Sequence, residues 1–143
     1  MRKEKSAEAK TGVVIVGHGS RLKETRGIYE TIASAVQTES GYETRVGYMK
    51  HHRPNLVEAV QSLIDEGYRR IVVVPLFIVP GLHVREDIPI LLGKKEGELP
   101  EFGYSRINAP GDVEIIYADA IGADPRLAEV VLDRVASALN GKA

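Results

Sequence analysis

The stretch that decides the fold is Arg70–Phe77, which reads RIVVVPLF. Its run of β-branched residues has no polar alternation, and this is typical of a strand buried on both faces of a sheet. A second run, Gly12–Gly17 with the sequence GVVIVG, predicts a similar strand near the start of the chain. Strands of this kind belong to parallel sheets that are covered by helices.

Amphipathic segments alternate with these strands. Helical spacing of apolar residues, with Pro or Asp at the starts and Gly at the ends, predicts helices at 22–38, 54–66, 87–92 and from 126 onward. A weaker strand signal covers 43–49, and 113–117 is a fourth predicted strand. Residues 81–84 indicate a turn, and 93–110 indicate a loop or flap. The order βαβαβαβα predicts an α/β fold with a four-stranded parallel sheet and helices on both faces.

Length and composition limit the possible classes of protein. The 143 residues suit one domain, which we expect at 12–143 after a flexible tail at 1–11. The net charge of −1 gives no general reason to expect nucleic acid or an anionic membrane as a partner. No apolar run approaches the ~20 residues of a membrane span. The absence of cysteine excludes disulfides and thiolate metal sites, and we expect a cytoplasmic protein.

Two histidines follow predicted strands. His18 lies between two glycines after the first strand, and His83 follows the third strand closely. Ligands of parallel α/β sheets bind beyond the carboxyl ends of the strands, and strands one and three commonly lie side by side. Both imidazoles could therefore face one cleft and form an open, transient metal site. Each histidine taken alone is equally compatible with a solvent-facing or purely structural role.

Basic residues are expected around the same edge. Ser20 and Arg21 open the predicted first helix, whose backbone N–H groups could meet anionic substituents. In the segment 50–53, KHHR, Lys50 and Arg53 are candidates for binding carboxylates. For the two histidines of this segment, His51 and His52, we favour a position in a solvent-exposed turn over a role in binding.

The segment around His83 offers two further candidates. The run from Ile78 to Leu82 could form a flat apolar wall for a ligand. Asp87 precedes Ile88 and Pro89, and this position predicts a helix cap. The alternative is that an acidic residue here orients a histidine.

Three segments together resemble one family, the sirohydrochlorin chelatases. They are VIVGHGSR at 14–21, VVPLF at 73–77 with GLHVREDIP at 81–89, and IGADP at 121–125. The resemblance extends over residues 12–139, and the short chain is similar to the small archaeal members. Larger relatives are about twice as long and carry two such halves.

The resemblance implies a class II chelatase fold and a homodimeric lyase that inserts Co2+ or Ni2+ into sirohydrochlorin, in cobalamin or coenzyme F430 biosynthesis. It implies that His18 and His83 bind the metal, that His18 accepts a pyrrole proton, and that no other cofactor is needed. Many members have acidic residues where this chain has Lys50–Arg53. The substrate-binding residues that we expect are Ser20, Arg21, Arg53, Ile78, Val79, Pro80, Gly81 and Leu82.

Two other functions stay open from the residues alone. The same motifs would also suit a metallochaperone or tetrapyrrole carrier, because they indicate that a ligand binds but do not show that it reacts. A phosphate-binding enzyme could use the Gly17–Ser20 loop, although neither GxxxxGK[ST] nor GxGxxG occurs. Imidazole ligands accept both Co2+ and Ni2+, so the residues do not select the metal.

Overall fold

The computed structural model describes residues 10–93, 99 and 106–141. Its strands are β1 (Thr11–Gly17), β2 (Glu43–Tyr48), β3 (Arg70–Pro75) and β4 (Glu114–Tyr117). Its α-helices are α1 (Glu24–Ser40), α2 (Leu56–Asp65), α3 (Ile88–Leu91) and α4 (Arg126–Leu139). A π-helical turn, His83–Asp87, leads directly into α3. The predicted alternation of strands and helices is confirmed.

The four strands form one parallel sheet in the order β2-β1-β3-β4. β1 and β3 are direct neighbours, as predicted, and Val16 near the end of β1 lies opposite Pro75 at the end of β3. The loops that follow these two strands therefore leave the sheet side by side.

Both faces of β1 are buried because its side chains alternate between two cores. Val14 and Val16 belong to the core beneath α2 and α3. Val13 and Ile15 belong to the core beneath α1. Helices on both faces of the sheet, as the apolar strands predicted, are confirmed.

α2 begins at Leu56, two residues after the predicted start at Pro54. Asn55 caps the helix: its side chain accepts a hydrogen bond from the Glu58 amide at 2.8 Å, and the Glu58 carboxylate accepts one from the Asn55 amide at 2.9 Å. The Asn-x-x-Glu spacing that produces this reciprocal cap is visible in the sequence.

Several other boundaries differ from the prediction. β1 starts at Thr11, one residue before the expected start of the domain, and residues 1–9 of the expected tail lie outside the described residues. The turn expected at 81–84 is wrong in part, because the helical turn already begins at His83. Most of the expected flap at 93–110 lies outside the described residues. Asn108, near its end, exchanges two hydrogen bonds with Gln61 of α2.

α4 is unusual because none of its residues is buried, although it is amphipathic. Val131, Leu132 and Leu139 expose 60%, 63% and 83% of their surfaces. An amphipathic helix normally buries its apolar stripe. Within the described part of the chain, this stripe has no such cover.

Candidate functional site

His18 is placed by backbone pairing that continues past the ends of β1 and β2. The Met49 amide donates to the Gly17 carbonyl at 2.9 Å, and the Lys50 amide donates to the His18 carbonyl at 3.1 Å. Gly19 follows with a φ of 89°, and a Cβ there would lie only 1.9 Å from the Lys50 carbonyl oxygen. A glycine is therefore required for the two loops to touch.

His83 begins the π-helical turn and meets His18 across the ends of β1 and β3. The two ring centroids are 5.0 Å apart, and the Phe77 ring lies 6.3 Å from that of His83. An ion bound at about 2.1 Å by one nitrogen of each ring would lie about 3 Å from each centroid, so two rings at this separation are close enough to share an ion. The structure thus brings the two predicted histidines to a spacing that suits one shared ion.

The candidate metal site has few protein ligands. Among the described residues, no group of three or more His, Cys, Asp or Glu is arranged to hold a metal ion. A pair of imidazoles leaves most coordination positions open, and an ion can leave such a site more readily than a closed four-ligand one.

Asp87 contacts His83, and the predicted helix cap is wrong. Its Oδ2 lies 2.7 Å from His83 Nδ1, and it forms no side-chain capping hydrogen bond to α3. A capping residue needs extended backbone angles, whereas Asp87 has helical angles because the π-helical turn runs into α3 without a break. The alternative, in which an acidic residue orients a histidine, is the arrangement observed.

The predicted anion site at the start of α1 is occupied by the chain itself. Ser20 Oγ accepts a hydrogen bond from the Leu22 amide at 3.1 Å and is hydrogen-bonded to the Thr25 hydroxyl. α1 starts only at Glu24, so the expected start near Ser20 and Arg21 is wrong. The side chain of Arg21 is exposed to solvent.

Arg53 is also exposed to solvent, but it is paired. Its guanidinium forms an ion pair with Glu58, and its carbonyl accepts a hydrogen bond from Arg26. Arg26 was not among the predicted residues, because nothing in its helical position marks it. A substrate carboxylate would have to compete with Glu58 for Arg53.

The two histidines of the segment 50–53 have different surroundings. His51 is exposed, as expected for a solvated turn, and adopts a φ of 73°. Partial desolvation lowers the pKa of the His51 imidazole below its usual value, and the positive charges of Arg21 and Lys50 lower it further. His52 is not solvated: its Nε2 is buried and has no hydrogen-bond partner among the described residues, and its ring centroid lies 5.0 Å from that of Tyr48.

The expected apolar wall lies beside His83. Ile78, Val79 and Leu82 expose 61%, 71% and 65% of their surfaces. The amides of Ile121 and Gly122 donate to the carbonyls of residues 77 and 78, each at 2.9 Å, and these bonds hold the start of the wall. Exposed apolar groups that cluster near a pair of potential metal ligands are typical of a ligand-binding surface.

Comparison with known proteins decides the family. A family model described as CbiX matches residues 12–138. The chain belongs to the CbiX family. Within this family, the sirohydrochlorin cobaltochelatase of Methanopyrus kandleri is 42% identical over 89% of this chain and 96% of its own. That of Methanothermobacter thermautotrophicus is 36% identical over 97% of this chain and 100% of its own.

Solved structures of similar proteins share the fold of this chain. The cobalamin (vitamin B12) biosynthesis CbiX protein from Marinobacter aquaeolei VT8 has a TM-score of 0.67 and 28% identity, covering 91% of this chain and 98% of that one. The sirohydrochlorin chelatase SirB from Bacillus subtilis subspecies spizizenii, solved in complex with cobalt, has a TM-score of 0.68 and 21% identity. It matches 90% of this chain but only 50% of its own, and it supports the fold.

No helix in the described part of the chain has both the length and the apolar character needed to cross a membrane.

Proposed function

We propose that this CbiX family member is a sirohydrochlorin cobaltochelatase, which inserts Co2+ into sirohydrochlorin in cobalamin biosynthesis. The observation that carries the proposal is the pair His18 and His83, whose rings lie 5.0 Å apart at the carboxyl edge of the sheet. The names of its relatives from Methanopyrus kandleri and Methanothermobacter thermautotrophicus support the same reaction.

The reaction exchanges two inner N–H protons of the macrocycle for one divalent ion. In our proposal, the flat tetrapyrrole lies against the exposed wall of Ile78, Val79 and Leu82. Ser20, Pro80 and Gly81 complete this surface, while Arg21 and Arg53 face the substrate carboxylates. An exposed cationic rim around an apolar wall matches a molecule with an apolar ring and an acidic edge.

His18 and His83 act on the metal and the protons. Both imidazoles present the ion, and His18 then accepts the two pyrrole protons in turn, passing each to solvent, as the ion moves to the ring nitrogens. Imidazole is the side chain that most often accepts and releases protons in catalysis near neutral pH. The chemistry uses no nucleotide and no redox cofactor.

The first experiment replaces each histidine and follows insertion by absorbance. We expect His18→Ala and His83→Ala to lose nearly all Co2+ insertion while circular dichroism shows an intact fold. The exposed His51, replaced by asparagine because that residue tolerates positive φ, serves as the control and should keep its activity. Full insertion by His18→Ala would contradict the proposal, and stoichiometric binding without turnover by the unmodified protein would identify a carrier instead.

Nickel is the second metal that we propose to test, since two imidazoles accept Co2+ and Ni2+ alike. A competition assay with equal Co2+, Ni2+ and Fe2+ would rank the three. We expect Co2+ to be inserted fastest, with slower Ni2+ insertion. Faster insertion of Ni2+ would instead place the enzyme on the route to coenzyme F430.

We further propose that the enzyme is a homodimer with α4 in the interface. The uncovered stripe of α4, including Val131 and Leu132, is the supporting observation. The length of SirB, of which this chain matches half, is compatible with a second copy in place of a second half. We expect light scattering to give twice the chain mass, and Val131→Asp to give the monomer. Asp133→Ala, on the polar side of α4, should stay dimeric, and a monomeric wild type would refute this proposal.

A further inference from the structure

We propose that Asp87 is a positioning residue that holds His83 in the tautomer with its proton on Nδ1. Nε2 then carries the lone pair that binds the substrate metal. The inference rests on the proposed chelatase function, because it assigns a role to His83 within that site. Asp87 itself touches neither the metal nor the macrocycle in this arrangement.

The contact between the two side chains is short and sheltered. Asp87 Oδ2 lies 2.7 Å from His83 Nδ1, and the two side chains retain only 18% and 30% of their exposure. A carboxylate can only accept at this site, so the shared proton resides on Nδ1. Carboxylates that accept from a metal-binding imidazole fix its tautomer and its ring orientation.

The backbone around this pair is also held. The Ile88 amide donates to the His83 carbonyl across the π-helical turn. The Tyr117 hydroxyl, from β4, donates to the Val84 carbonyl at 2.7 Å and ties the turn to the sheet. Because Asp87 does not cap α3, its carboxylate remains directed at the imidazole.

Among the described residues, no carboxylate restrains His18 as Asp87 restrains His83. The Nδ1 of His18 lies 3.1 Å from the carbonyl of its neighbour Gly19. The two histidines are therefore unequal. His83 is the oriented ligand that keeps the ion in place, whereas His18 can exchange its metal contact for a proton.

The test replaces Asp87 and uses its neighbour as a matched control. Asp87→Ala removes the acceptor, and Glu86→Ala removes the same charge from an exposed position one residue away. Asp87→Asn keeps the shape and an acceptor oxygen but removes the charge. It therefore distinguishes the effect of orienting the His83 ring from the effect of the negative charge beside it. Circular dichroism of each variant verifies the fold.

Three measurements read the role of Asp87. Long-range 15N–1H correlation spectra of the metal-free protein should show the Nδ1–H tautomer for His83 and its loss in Asp87→Ala. Direct Co2+ titration should show affinity weakened by about 10- to 100-fold, with a changed visible spectrum. In the insertion assay, KM for Co2+ should rise, while KM for sirohydrochlorin stays within about two-fold of that for Glu86→Ala.

Asp87→Asn should retain the tautomer and a Co2+ affinity between those of the wild type and Asp87→Ala. If Asp87→Ala does not fold, the asparagine variant still tests the inference by comparison with the wild type. An unchanged tautomer and Co2+ affinity in Asp87→Ala would overturn the inference, as would an Asp87→Asn variant indistinguishable from the alanine variant. The tautomer and Co2+ titration do not depend on turnover. Failure of wild-type insertion would therefore refute the proposed function without altering these two results.

Discussion

Replacing Gly19 with alanine should push apart the two loops that support His18. The new Cβ would lie 1.9 Å from the Lys50 carbonyl oxygen. Even close carbon–oxygen contacts are about 3.3 Å, so the loops would have to separate by more than about 1 Å. The movement would disturb the hydrogen bond from the Lys50 amide to the His18 carbonyl.

The size of the effect follows from two contributions. An alanine at φ 89° costs about 1–2 kcal/mol relative to glycine, because its Cβ crowds the backbone in the left-handed region. Weakening the backbone hydrogen bond adds about 1 kcal/mol. For a domain of this size, we expect a Tm lower by roughly 6–12 °C. A misplacement of about 1 Å at a reacting group lowers the insertion rate by about 100-fold.

Differential scanning calorimetry and the Co2+ insertion assay measure these two effects. Gly27→Ala is the matched control, because Gly27 is exposed within α1 and a Cβ there meets nothing within 4 Å. It should raise stability by up to about 1 kcal/mol and leave insertion unchanged. A Gly19→Ala variant with wild-type Tm and activity would show that the contact between the loops does not position His18.

Three further changes test the fold. Asn55→Ala removes the reciprocal cap of α2 and should cost about 1 kcal/mol in urea unfolding; a cost equal to that of an exposed substitution would contradict the capping box. Leu63→Ala, at a side chain that is 0% exposed, should cost about 2–5 kcal/mol in the same assay, and a smaller loss would mean that the core collapses around the gap. Tyr117→Phe removes the bond to Val84 and should cost about 1 kcal/mol at pH 7. Burial raises the pKa of Tyr117 above 10.0, so its stabilising effect is lost as pH rises past about 10, and the difference from Tyr117→Phe should shrink there; a constant difference would show that this tyrosine ionises alike in both states.

Much of the fold could be predicted because its signals are local. The runs at 12–17 and 70–77 are apolar on both alternating faces, which is typical of strands in a parallel sheet that helices cover on both sides. The position of His18 and His83 after neighbouring strands then predicted that they would meet. Their 5.0 Å separation agrees with that expectation.

The partners of the charged side chains could not be predicted in the same way. Arg53 reads as a carboxylate binder, but the cap of α2 places Glu58 beside it. Ser20 reads as part of an anion site, but Thr25 and the Leu22 amide occupy its hydroxyl. In each case a nearby group within the protein takes the bond that a ligand was expected to form.

The sequence by itself determined the order of the elements, the parallel sheet and the edge at which His18 and His83 lie. These features follow from hydrophobic periodicity, which is a property of short stretches of chain, and from the order in which those stretches occur. Only the tertiary structure decided that Asp87 contacts His83, that His52 is buried against Tyr48, and that α4 exposes its apolar side. These features depend on the π-helical turn and on packing between distant segments. Which side chains meet there depends on how distant segments pack in three dimensions, and no single stretch of sequence specifies this.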